Sequence, residues 1–141
     1  MSLIIRSLLI FTALFVAVNA AVLNGLFGSD YDEVYKTLFG DEETFLDPLS
    51  KESFYLYLHT TSFFVTMLFS IISSIFIRLF DSVTMQKIVV WSIFLSSSSL
   101  LIGLFGAFEI SKHFIWLYII SFYIWTIVTM SVSLCCIWRT W

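Results

Sequence analysis

The segment Ile88–Phe108, IVVWSIFLSSSSLLIGLFGAF, determines the fold class of this chain. It contains no charged residue and lies between Lys87 and Glu109. A helix rises about 1.5 Å per residue, so a segment of this length can cross the roughly 30 Å of hydrocarbon in a bilayer. We therefore predict a membrane-spanning helix at about residues 88–108.

Three further apolar segments have the same character, and they lie at about residues 7–27, 54–78 and 114–138. The chain of 141 residues is 60% hydrophobic and only 12% charged, whereas soluble domains are about 25% charged. A soluble fold of this size could not bury so much apolar surface. Short connections make neighbouring helices antiparallel. We predict an all-α integral membrane protein, a single domain over residues 1–141 with four transmembrane helices in an antiparallel bundle.

The first apolar segment resembles a secretory signal peptide in its layout. Arg6 precedes the apolar run, and the small residues Val18 and Ala20 stand where a peptidase would cut. We expect the segment to be retained as a signal anchor that forms the first span. This start favours the endomembrane system or the plasma membrane. The mitochondrial inner membrane stays an alternative, although the Arg-rich presequence typical of that route is missing.

The extramembrane loop at residues 28–53 carries most of the acidic residues. Eight of the ten lie between Asp30 and Glu52, where only Lys36 and Lys51 oppose them, so this loop has a net charge of −6. One stretch of it has helical spacing, with apolar side chains at Tyr31, Val34, Tyr35, Leu38 and Phe39. We predict a short amphipathic interfacial helix whose apolar face lies on the membrane surface or, because anionic lipid would repel it, on a partner protein.

The ends of the second long helix and the orientation of the chain follow from short local signals. Asp47 followed by Pro48 predicts that the second long helix begins there, outside the bilayer. Four basic residues on one side outnumber three on the other, which by the positive-inside rule places both termini inside. The inner set is Arg6, Arg78, Lys87 and Arg139, and the outer set is Lys36, Lys51 and Lys112.

Small residues recur at helical spacing on three of the four spans. Such faces let helix backbones approach closely in lipid, where apolarity does not drive helix association. Either they pack the helices of the chain against each other, or some of them face another subunit. The residues are Ser92, Ser96, Ser99, Gly103 and Ala107 in the third span, Ala13, Ala17 and Asn24 in the first, and Ser62, Thr66 and Ser70 in the second.

Residues that could support chemistry are few. His59 and His113 both lie towards the outer side and could hold a haem or a metal ion, since imidazole is a common ligand for both. The alternative is that His59 is an interfacial histidine and that Glu109 pairs with Lys112 or His113. We find no catalytic set and no phosphate-binding loop, so the sequence predicts neither an enzyme nor a cofactor.

The two adjacent cysteines near the end of the fourth span have two interpretations. Cys135 and Cys136 can pack as small apolar side chains, or they can be S-acylated at the inner interface. A disulfide between neighbours would be strained.

These features favour a structural role. We expect an accessory or assembly subunit of a larger membrane complex, which packs through small-residue faces and the acidic loop. The alternatives are a pore or carrier for small solutes or ions, formed by oligomers, and an electron-transfer subunit that uses His59 and His113. The expected partners are other membrane protein subunits and membrane lipids. Nucleic acid is excluded as a partner because the chain has no basic patch.

Overall fold

The structure is a computed structural model that describes residues 2–43 and 45–140. Five α-helices make up most of it, and four of them are long and apolar enough to cross a membrane. This confirms the prediction of an all-helical protein with four candidate spans. The helices are α1 (Ser2–Phe27), α2 (Tyr31–Phe39), α3 (Lys51–Leu79), α4 (Val83–Glu109) and α5 (Phe114–Arg139).

The long helices extend beyond the apolar segments that predicted them. The length of an apolar segment matches the thickness of the hydrocarbon layer, whereas the capping residues determine where the helix begins and ends. The prediction that α3 starts at Asp47-Pro48 is wrong. Ser50 caps this helix, and its side chain accepts a hydrogen bond from the backbone N–H of Ser53 at 3.2 Å. Ser82 caps α4 in the same way.

Helix α5 occupies the central position, since it contacts each of the other four helices. Its most extensive contact is with α4, to which a four-residue turn joins it. Gly103 of α4 permits this contact. A Cβ atom at Gly103 would lie 2.6 Å from the backbone nitrogen of Tyr118, so only glycine lets the two backbones come this close.

Several buried hydroxyl groups in the interior of the bundle bond to the backbone of their own helix. Trp125 of α5 is fully buried. The hydroxyls of Thr129 and Ser133 donate to carbonyls one turn earlier in α5, at 2.5 and 2.8 Å, and Ser97 does the same in α4 at 2.6 Å. Such bonds suit a helix in lipid, where water is not present to pair with a hydroxyl.

The end of the bundle opposite the acidic loop is held by long polar side chains. The Arg6 guanidinium of α1 donates a hydrogen bond to the carbonyl of Thr140, just after α5. The side-chain amide of Gln86 donates to the carbonyls of Ile77 and Phe80 at 3.0 and 2.5 Å, which ties the start of α4 to the end of α3. These bonds use carbonyls that have no partner within their own helices.

The close approach at Gly103 leads to a stability prediction. Gly103→Ala places a methyl group against the α5 backbone, so we expect it to destabilise the fold by about 1–3 kcal/mol. The measurement is unfolding in mixed micelles at increasing dodecyl sulfate. Gly25→Ala is the control, because a Cβ atom there meets nothing within 4 Å. Equal stability of the two variants would contradict the proposed role of Gly103.

Candidate interaction surfaces

The small residues of α1 lie mostly on its outer side. The side of α1 that the bundle buries consists of Leu9, Thr12, Val16, Leu23 and Phe27. Ala17 and Asn24 are exposed, and Ala13 is half-buried. The small-residue face of α1 is therefore largely available to a neighbour outside the chain.

Helix α3 shows the same arrangement. Thr66 and Ser70 are exposed and Ser62 is half-buried, whereas Val65, Leu68 and Ile72 face the core. The hydroxyls of Ser62 and Ser70 donate to carbonyls of their own helix at 2.7 and 2.9 Å. We name the small-residue sides of α1 (Ala13, Ala17, Asn24) and α3 (Ser62, Thr66, Ser70) the outer small faces.

The small residues of α4, in contrast, lie largely against α5. Ser96, Gly103 and Ala107 are buried, and Ser92 and Ser99 are half-buried. At mid-helix the two helices leave a groove of about 320 Å³ along one edge of their contact, lined by Ser92, Ser96, Ser99 and Ser121 together with larger apolar side chains. One spacing pattern thus occurs on a buried side in α4 and on exposed sides in α1 and α3.

The acidic loop contains a closed turn after α2. Gly40, at a φ of +84°, ends the helix in a conformation that favours glycine, and Asp41 then pairs through its backbone with Leu46. The Lys36 ammonium lies 3.0 Å from the Asp41 carboxylate. This carboxylate, by its hydrogen bond and its charge, raises the pKa of Lys36 above its usual value. This ion pair ties the turn to α2.

The tip of this turn presents an aromatic side chain to the outside. Phe45 is 93% exposed, and its φ of +54° lies in the left-handed region that bulky residues rarely adopt. Four carboxylates of the loop surround it in sequence, those of Asp41, Glu42, Glu43 and Asp47. An exposed phenyl ring among acids suits an apolar contact bordered by basic groups.

The apolar face of α2 is used in a way that the sequence did not reveal. Val34 and Leu38 are 0% and 1% exposed and belong to the core. This part of the face therefore covers the bundle itself and not a lipid surface or a partner, which corrects the prediction. Tyr31 is half-buried and stacks on Trp116 of α5 with ring centroids 5.4 Å apart. Of the five residues of the apolar face, Tyr35 and Phe39 are the exposed ones.

Glu109 joins two long helices at the loop end of the bundle. The Tyr55 hydroxyl of α3 donates to the Glu109 carboxylate at 2.7 Å, and the Lys51 ammonium lies 3.9 Å from the same oxygen. The expected pairing of Glu109 with Lys112 or His113 is wrong for the described residues. Lys112 instead lies over the ring of Tyr35, 6.0 Å from its centroid.

The remaining site candidates are two histidines and two cysteines. His59 and His113 are both exposed. Residues 2–43 and 45–140 contain no cluster of three or more histidine, cysteine or acidic side chains that could hold a metal ion. Cys136 is buried in the core and Cys135 is exposed, so only Cys135 is accessible to acylation in this arrangement. Whether it is acylated stays a prediction.

Comparison of the chain with protein-family models, with curated proteins and with solved structures gives no match. The structure itself supports an integral membrane protein, through four helices of sufficient length and apolarity.

Sequence reasoning missed two residues of these surfaces, Phe45 and Tyr55. A phenylalanine among four loop carboxylates is a signal of a contact site that the sequence does offer, because an apolar side chain in an acidic loop does not improve its solubility. Tyr55 gives no such signal, since its partner Glu109 is 54 positions away. A contact at that separation depends on how the helices pack.

The Tyr55–Glu109 contact can be tested by a double-mutant cycle. Tyr55→Phe and Glu109→Gln each remove part of a charge-assisted hydrogen bond, and we expect a coupling free energy of about 1 kcal/mol in micelle unfolding. Tyr35→Phe paired with Glu109→Gln is the control, since the Tyr35 hydroxyl is not bonded to this carboxylate. Additive effects of Tyr55→Phe and Glu109→Gln would show that the bond contributes no stability.

Proposed function

We propose that this protein is a non-enzymatic structural or assembly subunit of a larger, multi-subunit membrane complex. In this proposal α1, α3, α4 and α5 form an antiparallel bundle in the membrane, and α2 lies at the interface. Contacts at both ends support the arrangement. Phe27 at the end of α1 packs near Tyr118 of the first turns of α5, and Arg6 at the start of α1 bonds to Thr140 after the end of α5.

The observation that carries the proposal is the exposure of the outer small faces. A helix side that meets only lipid is ordinarily covered by large apolar side chains, and the exposed Ile120, Ile124 and Ile127 give α5 a side of that kind. Small residues on an outer side allow the backbone of another helix to approach, and van der Waals packing at short range is what holds helices together in lipid. Helices α1 and α3 therefore offer contact sides for transmembrane helices of other subunits.

The acidic loop supports the same function outside the membrane. It carries a net charge of −6 between Asp30 and Glu52, and Phe45 projects from it. A basic surface with an apolar recess on a partner subunit complements both features. Electrostatic complementarity of this kind selects the partner and speeds the encounter more than it adds affinity.

An oligomeric pore is less well supported. The hydroxyls of Ser62, Ser70 and Ser92 all donate to carbonyls of their own helices. Each hydroxyl could therefore only accept a hydrogen bond from a solute in a pore and could not donate one. The protein interior is also filled, with Trp125 and Leu104 fully buried. The signal-anchor-like start makes the endomembrane system or the plasma membrane our proposed location.

The test is the mass of the native particle in a mild detergent. We expect the wild-type chain to purify with other membrane subunits in fixed proportion. Ala17→Leu and Ser70→Leu enlarge the outer small faces without a clash inside the chain, so each lowers the associated form about fivefold or more, in line with roughly 1–3 kcal/mol for overpacking.

The matched control is Ser131→Leu, which enlarges an exposed small residue on α5 outside these faces. It leaves association unchanged if the proposal holds. A wild-type protein that purifies as a monomer or a homo-oligomer would contradict the proposal, as would equal loss of association with Ser131→Leu.

A further inference from the structure

A cleft separates α1 from α3 at the end of the bundle opposite the acidic loop. It has a volume of about 200 Å³ and is lined by Ile5, Leu8, Ser74, Ile75, Arg78 and Leu79. Farther along, aromatic contacts bring the same two helices together, with ring centroids 5.3 Å apart for Phe15 and Phe64. The first turns of α1 and the last turns of α3 therefore border an apolar space with one guanidinium in its wall.

Arg78 is the basic residue in the lining of this cleft. It is exposed and forms no ion pair within residues 2–43 and 45–140. Two other arginines at this end have contacts of their own, since Arg6 bonds to the Thr140 carbonyl and Arg139 lies over the ring of Phe80. The Arg78 guanidinium is thus available to an anion at the edge of the hydrocarbon.

The width of the cleft distinguishes its candidate occupants. One turn of a helix about 10 Å wide and 5.4 Å long fills about 420 Å³, roughly twice the volume of the cleft. A partner helix therefore does not enter it, whereas a segment of a slender alkyl chain can, with the rest of that chain outside the cleft. In a bilayer, the acyl chains of lipids are the surrounding solvent. The phosphate of a phospholipid headgroup lies at the level of the helix ends.

We propose that this cleft binds an anionic phospholipid. One acyl chain lies between α1 and α3 along Leu8 and Ile75, and the phosphate accepts hydrogen bonds from the Arg78 guanidinium. A planar guanidinium can donate two parallel hydrogen bonds to a phosphate. The charge around the cleft favours an anion, because Arg6, Lys87 and Arg139 lie at the same end of the bundle. They outnumber the acidic Asp81, which lies in the turn between α3 and α4. The cleft shares no residue with the outer small faces or the acidic loop, although Ser74 lies one turn beyond Ser70 on α3.

The experiment uses the full chain in mild detergent with equal amounts of phosphatidylglycerol and phosphatidylcholine of matched acyl chains. Native mass spectrometry counts the lipids that stay bound. We expect one retained phosphatidylglycerol in preference to phosphatidylcholine. Arg78→Gln lowers that preference about fivefold, as expected for the loss of one basic group near a lipid phosphate, and Arg78→Lys retains most of it. Ser74→Phe fills the cleft and lowers the retention of both lipids.

Lys87→Gln is the matched control, because it removes a charge at the same end from a residue outside the cleft. It leaves the preference unchanged if the proposal is correct. Equal loss of preference with Lys87→Gln and Arg78→Gln would show a general attraction of the basic end and overturn the site. Unchanged lipid retention in Ser74→Phe would overturn the placement of the acyl chain. The native particle mass tests the proposed subunit function separately, since neither result depends on the other.

Discussion

The close approach of α4 and α5 at Gly103 is the interaction on which the rest of the structure depends. The absence of a side chain there lets the α5 backbone lie against α4 at Tyr118. From this position α5 contacts α1, α2 and α3 as well, so it serves as the common packing element. Helix α2 packs at the loop end against both α1 and α5, and its residues Val34 and Leu38 are buried there.

Lipid as the solvent explains how the remaining polar groups are arranged. Hydrocarbon offers no hydrogen-bond partners, so hydroxyls such as those of Ser97, Thr129 and Ser133 bond to the backbones of their own helices, and the longer polar contacts lie at the two ends. Tyr55 with Glu109 holds the loop end, and Arg6 with Thr140 holds the opposite end. Apolarity does not drive helix association in lipid, so close packing of small residues becomes important along the length of the helices. Gly103 provides such packing inside the chain, and we propose the same role for the outer small faces towards other subunits.

The sequence predicted the four long helices well because length and apolarity are local properties of the chain. It predicted the start of α3 poorly, since Ser50 and not Asp47 caps this helix. The periodicity of small residues marked one small-residue side on each of α1, α3 and α4. Periodicity carries no information on which neighbour such a side meets. The partner of Glu109 and the burial of Val34 were not predictable for the same reason. Both depend on contacts between helices that are distant along the chain.

We propose that the outer small faces meet other proteins, whereas the outer side of α5 meets lipid. Photo-cross-linking in the native membrane tests it most directly, with a photoreactive residue at Ala17, at Thr66 or at Ile127, all exposed positions. We expect discrete protein adducts of fixed mass from Ala17 and Thr66, and lipid adducts alone from Ile127. Lipid adducts alone from all three positions would contradict it.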